Sequence, residues 1–276
     1  MTEDQLHITK STGEKVHFSM QKLKKSLQYS GASEAMVNEI LERVQEELYQ
    51  GISTREIHNR AFALLKKKKS VYASKYKLKK AIYELGPTGF PFERFVAGVL
   101  HFSGYEVQVG QMVQGTCVSH EIDVLASKNG TLHVIECKFH GDQSLKCDVK
   151  VPLYINSRYL DVKDVLLHES QDTQGWVVTN TRFTGDALLY GKCAGLYLLS
   201  WDFPLENGLK DRIDRLGLYP ITVSLLLSKR EKKFLLDKGL VLFRNLERHH
   251  RLLDEIGVSK GRKDRILKEM RSLCKS

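Results

Sequence analysis

Cysteine is scarce in this sequence and unpaired in its spacing. Five cysteines stand among 276 residues, at Cys117, Cys137, Cys147, Cys193 and Cys274, with no C-x-x-C pair. That spacing argues against a disulfide framework and against a structural zinc site. Long apolar runs are also missing. Stretches such as VSLLL, Val223–Leu227, fall far short of the roughly 20 residues that cross a bilayer. The start, MTEDQLHITK, lacks the pattern of a secretory leader, so a cytoplasmic location with no membrane partner is expected. No internal repeat or low-complexity tract appears. What is present is an ordinary globular composition, 42% hydrophobic and 28% charged, long enough for two or three domains.

The net charge of +10 is unevenly spread. Residues 1–84 carry 16 Lys+Arg and 10 Asp+Glu, or +6; residues 85–208 carry 9 and 14, or −5; residues 209–276 carry 18 and 9, or +9. Basic flanks are the electrostatic footprint of a polyanion partner, and a general solubility bias need not spare the middle.

Organisation follows the same division. LHITK and KVHFS read as a short hairpin around Gly13. Leu23 and Leu27 begin one helix, and Val37, Ile40, Leu41, Val44 and Leu48 form the stripe of a second. Ser53 or Thr54 caps a third, carrying Ile57, Ala61 and Leu64. A lysine-rich helix is expected from Ser70 to Tyr83. ELGPTGFP, Glu84–Pro91, breaks the pattern and marks a boundary. Beyond it, FERFVAGVLHFSG is an amphipathic helix with Phe92, Phe95, Val96, Val99 and Leu100 on one face. YEVQV, HEIDVLA and TLHVIECKF alternate as strands, a helix is expected near Val151–Leu160, and WVVTN, Thr184–Ala194 and LYLLSW read as strand, helix, strand. This order predicts an α/β domain with a central mixed β-sheet flanked by helices. The last segment is helical, basic and broken by glycines.

The stretch HEIDVLASKNGTLHVIECKFH, His120–His140, carries the chemistry. Asn129-Gly130 favours a tight hairpin. Alternation puts Leu132, Val134, Glu136 and Lys138 on one face of the second strand, with Glu136 and Lys138 roughly 7 Å apart. The hairpin allows Asp123 to face Glu136, while Ile122, Ile135 and Phe139 pack on the other side. Two carboxylates can hold a hard cation, which activates water and offsets charge on a scissile phosphate. A lysine beside them positions water or stabilises developing charge. The same residue types also serve as a salt-bridged cluster at a sheet rim. Glu121 is a plausible auxiliary acid or a solvated strand end, and His120 and His140 flank the site. Thr179, Asn180, Thr181 and Arg182 either approach a phosphate backbone or cap the following helix.

Glu93 on a helix, then Asp123, then Glu136-Cys137-Lys138, resembles the PD-(D/E)xK nuclease superfamily, and within it the Mrr-like restriction endonucleases. GFPFERFVAGVLHFSGYEV and VVTNTRFTGDALLYGKCAGLYLLSW resemble their opening helix–strand and later strand–helix–strand. The resemblance covers roughly residues 90–204. It implies a restriction-endonuclease-like fold over 85–208 and metal-dependent hydrolysis of DNA. It also implies magnesium (or manganese) held by Asp123 and Glu136, Lys138 as the catalytic lysine, and Glu93 assisting the metal. Ile122 replaces the motif's proline. The glutamine that many relatives carry on the next helix is absent from KCDVKVPLY, where Asp148 or Lys150 stands instead.

STGEK lacks the spacing of a phosphate loop. ITKSTGEKVHFSMQKLKKSL with GISTREIH resembles an ATP-cone domain, here residues 1–84 and mainly helical. The resemblance implies ATP or dATP as a regulatory ligand, with Lys10 and Lys22 toward phosphates and Ile8, Thr54 and His58 framing base and sugar. Ser11 stands where many cones have arginine. In the basic segment 209–276, LSKREKKFLLDKGLV and LLDEIGVSKGRKDRILKEM resemble helix-hairpin-helix modules, which implies DNA-backbone contacts by Lys260, Arg262 and Lys263. The expected function is a magnesium-dependent DNA endonuclease regulated by an adenine nucleotide, with a homodimer fitting the cutting of two strands. The alternatives are a nucleotide-responsive DNA-binding regulator that does not cut, and a structure-specific or RNA nuclease.

Overall fold

A computed structural model describes residues 6–10, 13–167 and 170–274. Ser11 lies outside the described residues. The chain divides into two compact units, residues 1–80 with 223–226, and residues 81–222 with 227–276.

In the first unit, β1 (His7–Thr9) and β2 (Lys15–His17) form an antiparallel hairpin. Helices α1 (Met20–Tyr29), α2 (Glu34–Glu46), α3 (Thr54–Lys68) and α4 (Ser70–Tyr76) follow. Each of the first three starts on a serine, Ser19, Ser33 or Ser53, whose hydroxyl accepts from a first-turn N–H. The expected stripes close into one core that includes Leu23, Leu27, Val37, Ile40, Val44, Ile57 and Ala61; on α3 the wholly buried leucine is Leu65, and the expected Leu64 is only partly buried against it. The Thr9 N–H donates to the Ile52 carbonyl at 3.0 Å, which ties β1 to the start of α3. The lysine-rich stretch is two helices, not one: α5 (Leu78–Tyr83) is separate from α4. The apolar segment Val223–Leu226 belongs to this unit, and Leu225 packs on its core.

The second unit holds α6 (Phe90–His101), β3 (Glu106–Gln114), β4 (Ser119–Lys128), β5 (Thr131–Lys138), α7 (Lys150–Leu167), β6 (Asp172–Thr179), α8 (Gly185–Cys193) and β7 (Tyr197–Leu199). The sheet order is β3-β4-β5-β6-β7; the first three strands are antiparallel, and β6 and β7 run parallel to β5. Lys128 pairs with Thr131 across a two-residue turn in which Asn129 and Gly130 both have positive φ, as a hairpin of this twist requires. Helix α7 runs a turn or more beyond the expected end because its apolar positions, Ile155, Tyr159, Val162 and Leu166, continue to cover the sheet.

The basic segment does not stand apart. Helices α9 (Leu209–Leu216), α10 (Lys229–Asp237), α11 (Leu252–Glu255) and α12 (Lys260–Leu273) pack in the same unit as the sheet. The reason is apolar: Tyr219, Phe243 and Leu246 are wholly buried. A Cβ at Gly98 of α6 would come within 2.8 Å of the Leu242 side chain, and the Arg244 guanidinium lies 4.5 Å from the Phe102 ring centre. The division expected at residue 209 therefore falls inside a continuous packing unit.

Candidate active site

The site lies where β4 and β5 part. Their last ladder pair is Val124 with Ile135, so Asp123 and Glu136 come next, opposite each other. Asp123 Oδ2 accepts from the Cys137 N–H at 2.7 Å. The β3–β4 ladder also skips this level. Its pairs run to Val109–Val124 and resume at Gln111–Ile122, and the unpaired Gly110 has φ of +62°. Strict alternation fails here. Ile122 does not pack away from the α7 side; it joins Val134, Ile155 and Val177 in the core beneath α7. A kink at glycine is the physical reason, since alternation holds only along an unbroken ladder.

Three carboxylates act on one another. Burial, then the nearby Asp123, pushes Glu136 up to about 8 despite an opposing arginine. Burial, then Asp123 and Glu121, pushes Glu93 up to about 7. Asp123 is raised by burial, with the Cys137 N–H and Arg158 acting the other way. Glu136 is 7% exposed; its Oε1 meets no donor group, and the Glu136 carboxyl, when protonated, hydrogen-bonds to Asp123. A buried carboxylate oxygen without a donor is costly unless a cation or proton completes it. Among the described residues, no three His, Cys, Asp or Glu side chains close into a metal cage. Two carboxylates with water and substrate oxygens complete the shell of a hard cation such as magnesium, and Asp123 with Glu136 fit that demand.

Beside Glu136 lies a cavity of about 320 Å³ lined by Lys138, Lys150, Tyr154 and Arg158. Glu136 and Lys138 thus open on one space, as their strand positions require. Asp148 Oδ1 accepts from the Lys150 N–H at 3.0 Å and caps α7; Lys150 faces the cavity. Sequence reasoning missed Arg158, whose Nη1 stands 2.9 Å from Glu136 Oε2 and whose Nη2 donates to the Glu121 carbonyl. Its signal was the row Lys150, Tyr154, Arg158, spaced by four on one face of α7.

Other expected residues have different work. His120 Nε2 meets Asp161 Oδ2 at 2.7 Å, and Asp161 also accepts from the Cys117 and Val118 N–H groups, fastening the β3–β4 turn to α7. Thr179, Asn180 and Thr181 are buried and not free for phosphate. Thr179 donates to the Lys138 carbonyl, and Asn180 exchanges two hydrogen bonds with the His140 main chain. Arg182 is paired with Asp202. Arg262 grips Glu231 with two nitrogens, one at 2.7 Å, and Lys263 meets Asp254 at 2.6 Å. Both of these cations are paired with acids within the chain, so a contact with DNA by either would have to compete with that pairing. Lys260 is exposed at the start of α12.

In the first unit, Ile8 is buried on β1 and Thr54 opens α3. His58 stacks on Tyr76 at 4.4 Å and 12°, and burial, then Lys80, lowers its pKa. Lys10 pairs with Glu14 at 2.9 Å on the surface. Lys22 is exposed on α1. Residues 6–84 match the ATP cone domain family.

Residues 219–274 match the family described as AF1548-like, C-terminal. An uncharacterized protein of Archaeoglobus fulgidus is 34% identical over 179 residues, spanning 64% of this chain and 99% of that protein. The chain belongs to the AF1548-like family. The crystal structure titled as a protein of unknown function, AF1548, superposes with a TM-score of 0.57 at 32% identity. It covers 68% of this chain and 98% of that one. An ATP-cone domain is thus joined to an AF1548-like part built on a five-stranded mixed sheet. No helix among the described residues is long and apolar enough to cross a membrane.

Proposed function

We propose that the chain is a magnesium-dependent DNA phosphodiesterase under the control of an adenine nucleotide. One observation carries the reading: Glu136, buried and with an Oε1 that meets no donor, interacts with the carboxyls of Asp123 and Glu93 and also lines a cavity walled by Lys138, Lys150 and Arg158. Acids against a cation-lined cavity suit a site that takes a metal ion and a phosphate together. Asp123 and Glu136 would hold magnesium, with manganese as a substitute, and Glu93 assists by its charge. The bound ion supplies a more acidic water and offsets charge on the phosphate. Lys138 and Lys150 orient the phosphate and stabilise its added charge, and Tyr154 bounds the cavity. The ATP-cone domain supports ATP or dATP as the regulatory ligand.

DNA is the favoured substrate because the flanks are strongly basic while residues 85–208 are acidic. The test is a nicking assay on duplex, single-stranded and junction DNA and on RNA, with magnesium and with or without ATP. Asp123→Ala and Lys138→Ala are expected to remove cleavage. Equal cleavage by both variants and the parent would overturn the assignment, and cleavage of RNA alone would move it to ribonucleases.

A further inference from the structure

Arg158 has no place in the roles given so far, yet it holds the centre of the site. Its side chain is 17% exposed, and it bridges two things. One nitrogen stands 2.9 Å from Glu136 Oε2, and another is anchored on the main-chain carbonyl of Glu121, two residues before Asp123. The guanidinium lies 5.6 Å from the Tyr154 ring centre and opens on the same cavity as Lys138 and Lys150. Glu136 thus has one oxygen held by Arg158, while the other meets no donor.

We propose that Arg158 is a positioning residue that couples cation binding to phosphate binding: it compensates Glu136 in the resting protein and turns to the phosphate when DNA enters. This rests on the phosphodiesterase reading above. The physical argument is competition for one carboxylate. A guanidinium close to Glu136 repels a divalent cation, so the resting protein binds metal weakly. A phosphate in the cavity offers Arg158 a planar, bidentate partner of the kind it prefers. Once Arg158 leaves, Glu136 presents both oxygens to the cation. Coupling of this kind is reciprocal: DNA strengthens metal binding by the factor by which metal strengthens DNA binding. It would keep a bare ion from occupying the site without substrate.

The experiment uses the full chain and two readouts besides cleavage. Manganese binding to the DNA-free protein is followed by electron paramagnetic resonance. Binding of a phosphorothioate-linked duplex is followed by fluorescence anisotropy, with and without calcium. Arg158→Gln is expected to tighten manganese binding about tenfold, equivalent to about 1.4 kcal/mol. It is also expected to lose most of the calcium-dependent gain in duplex affinity. Arg158→Lys keeps the charge and is expected to hold manganese affinity within about twofold of the parent, about 0.4 kcal/mol. Manganese affinity unchanged or weakened in Arg158→Gln, or a calcium-dependent gain equal to the parent's, would overturn the coupling. Failure of the underlying reading looks different: manganese would then bind equally well to Asp123→Asn and to the parent.

Discussion

Asp123 and Glu136 face each other one position past the last ladder pair of β4 and β5, Val124 with Ile135. At that level the strands have parted, and the Asp123 carboxylate takes the Cys137 N–H that the ladder leaves open. The parting makes room for two acids at a depth where a continuous sheet would carry apolar side chains. It also sets the acids against a cavity with cationic walls.

Glu136→Gln keeps the shape and removes the charge. Cleavage is expected to fall by roughly 10²-fold or more, the scale seen when one electrostatic stabiliser of a transition state is lost. Manganese affinity should fall with it. Steady-state cleavage and paramagnetic resonance on the same preparation check both, and full activity in the variant would remove Glu136 from the site.

The raised acids give stability a pH signature. Glu93 near 7 and Glu136 near 8 stand above their ordinary value of 4.5. Between these limits the folded chain holds more protons than the unfolded chain, so stability falls as pH rises. The contribution is fully present below about pH 4.5 and is lost as pH climbs through 7 to 8. The Tm of metal-free protein is therefore expected to drop from pH 6 to pH 9. The drop should shrink in Glu136→Gln, and parallel profiles for the two proteins would contradict the shift.

Arg262 stabilises the fold through its pair with Glu231. Removing it leaves Glu231, 9% exposed and held down to about 2 by that pair, without its counter-ion. Arg262→Ala is expected to lose about 2 kcal/mol in urea unfolding, the scale of hydrogen bonds to a charged group. Duplex affinity of the folded variant should stay within about twofold, while Lys260→Ala lowers the salt dependence of binding by about one counterion.

The ATP-cone domain gives a separate test. Lys10 is exposed and forms a surface ion pair with Glu14, a weak pairing, so turning it to a phosphate costs little. Lys10→Ala is expected to weaken dATP binding about tenfold, near 1.4 kcal/mol. His58→Ala, which removes the ring stacked on Tyr76, should also weaken it. Calorimetry decides, and unchanged binding by both variants would place the nucleotide elsewhere.

Much of this protein was legible in the chain because its signals are local. Ser53 announces α3 by offering a hydroxyl to the first turn, and Ser19 and Ser33, which sequence reading passed over, do the same for α1 and α2. Asn129-Gly130 fixes a two-residue turn, and that turn fixes which residue faces Asp123. The placing of Glu136 and Lys138 on one face follows from strand period alone. Other features depend on contacts between distant residues, and composition carries no trace of them. Ile122 changes sides because Gly110, on a different strand, breaks the ladder opposite Asp123. Arg158 reaches Glu136 from a helix 22 positions along the chain, and only the packing of α7 on the sheet brings them to 2.9 Å. Arg262 and Lys263 look like free cations in sequence, yet folding delivers Glu231 and Asp254 to them. Local sequence signals set most of the elements, the shared face of Glu136 and Lys138, and the chemical types at the site. Tertiary structure decided which charges are spent on each other and which stay open to a ligand, because pairing of charges depends on distances that only the packed chain sets.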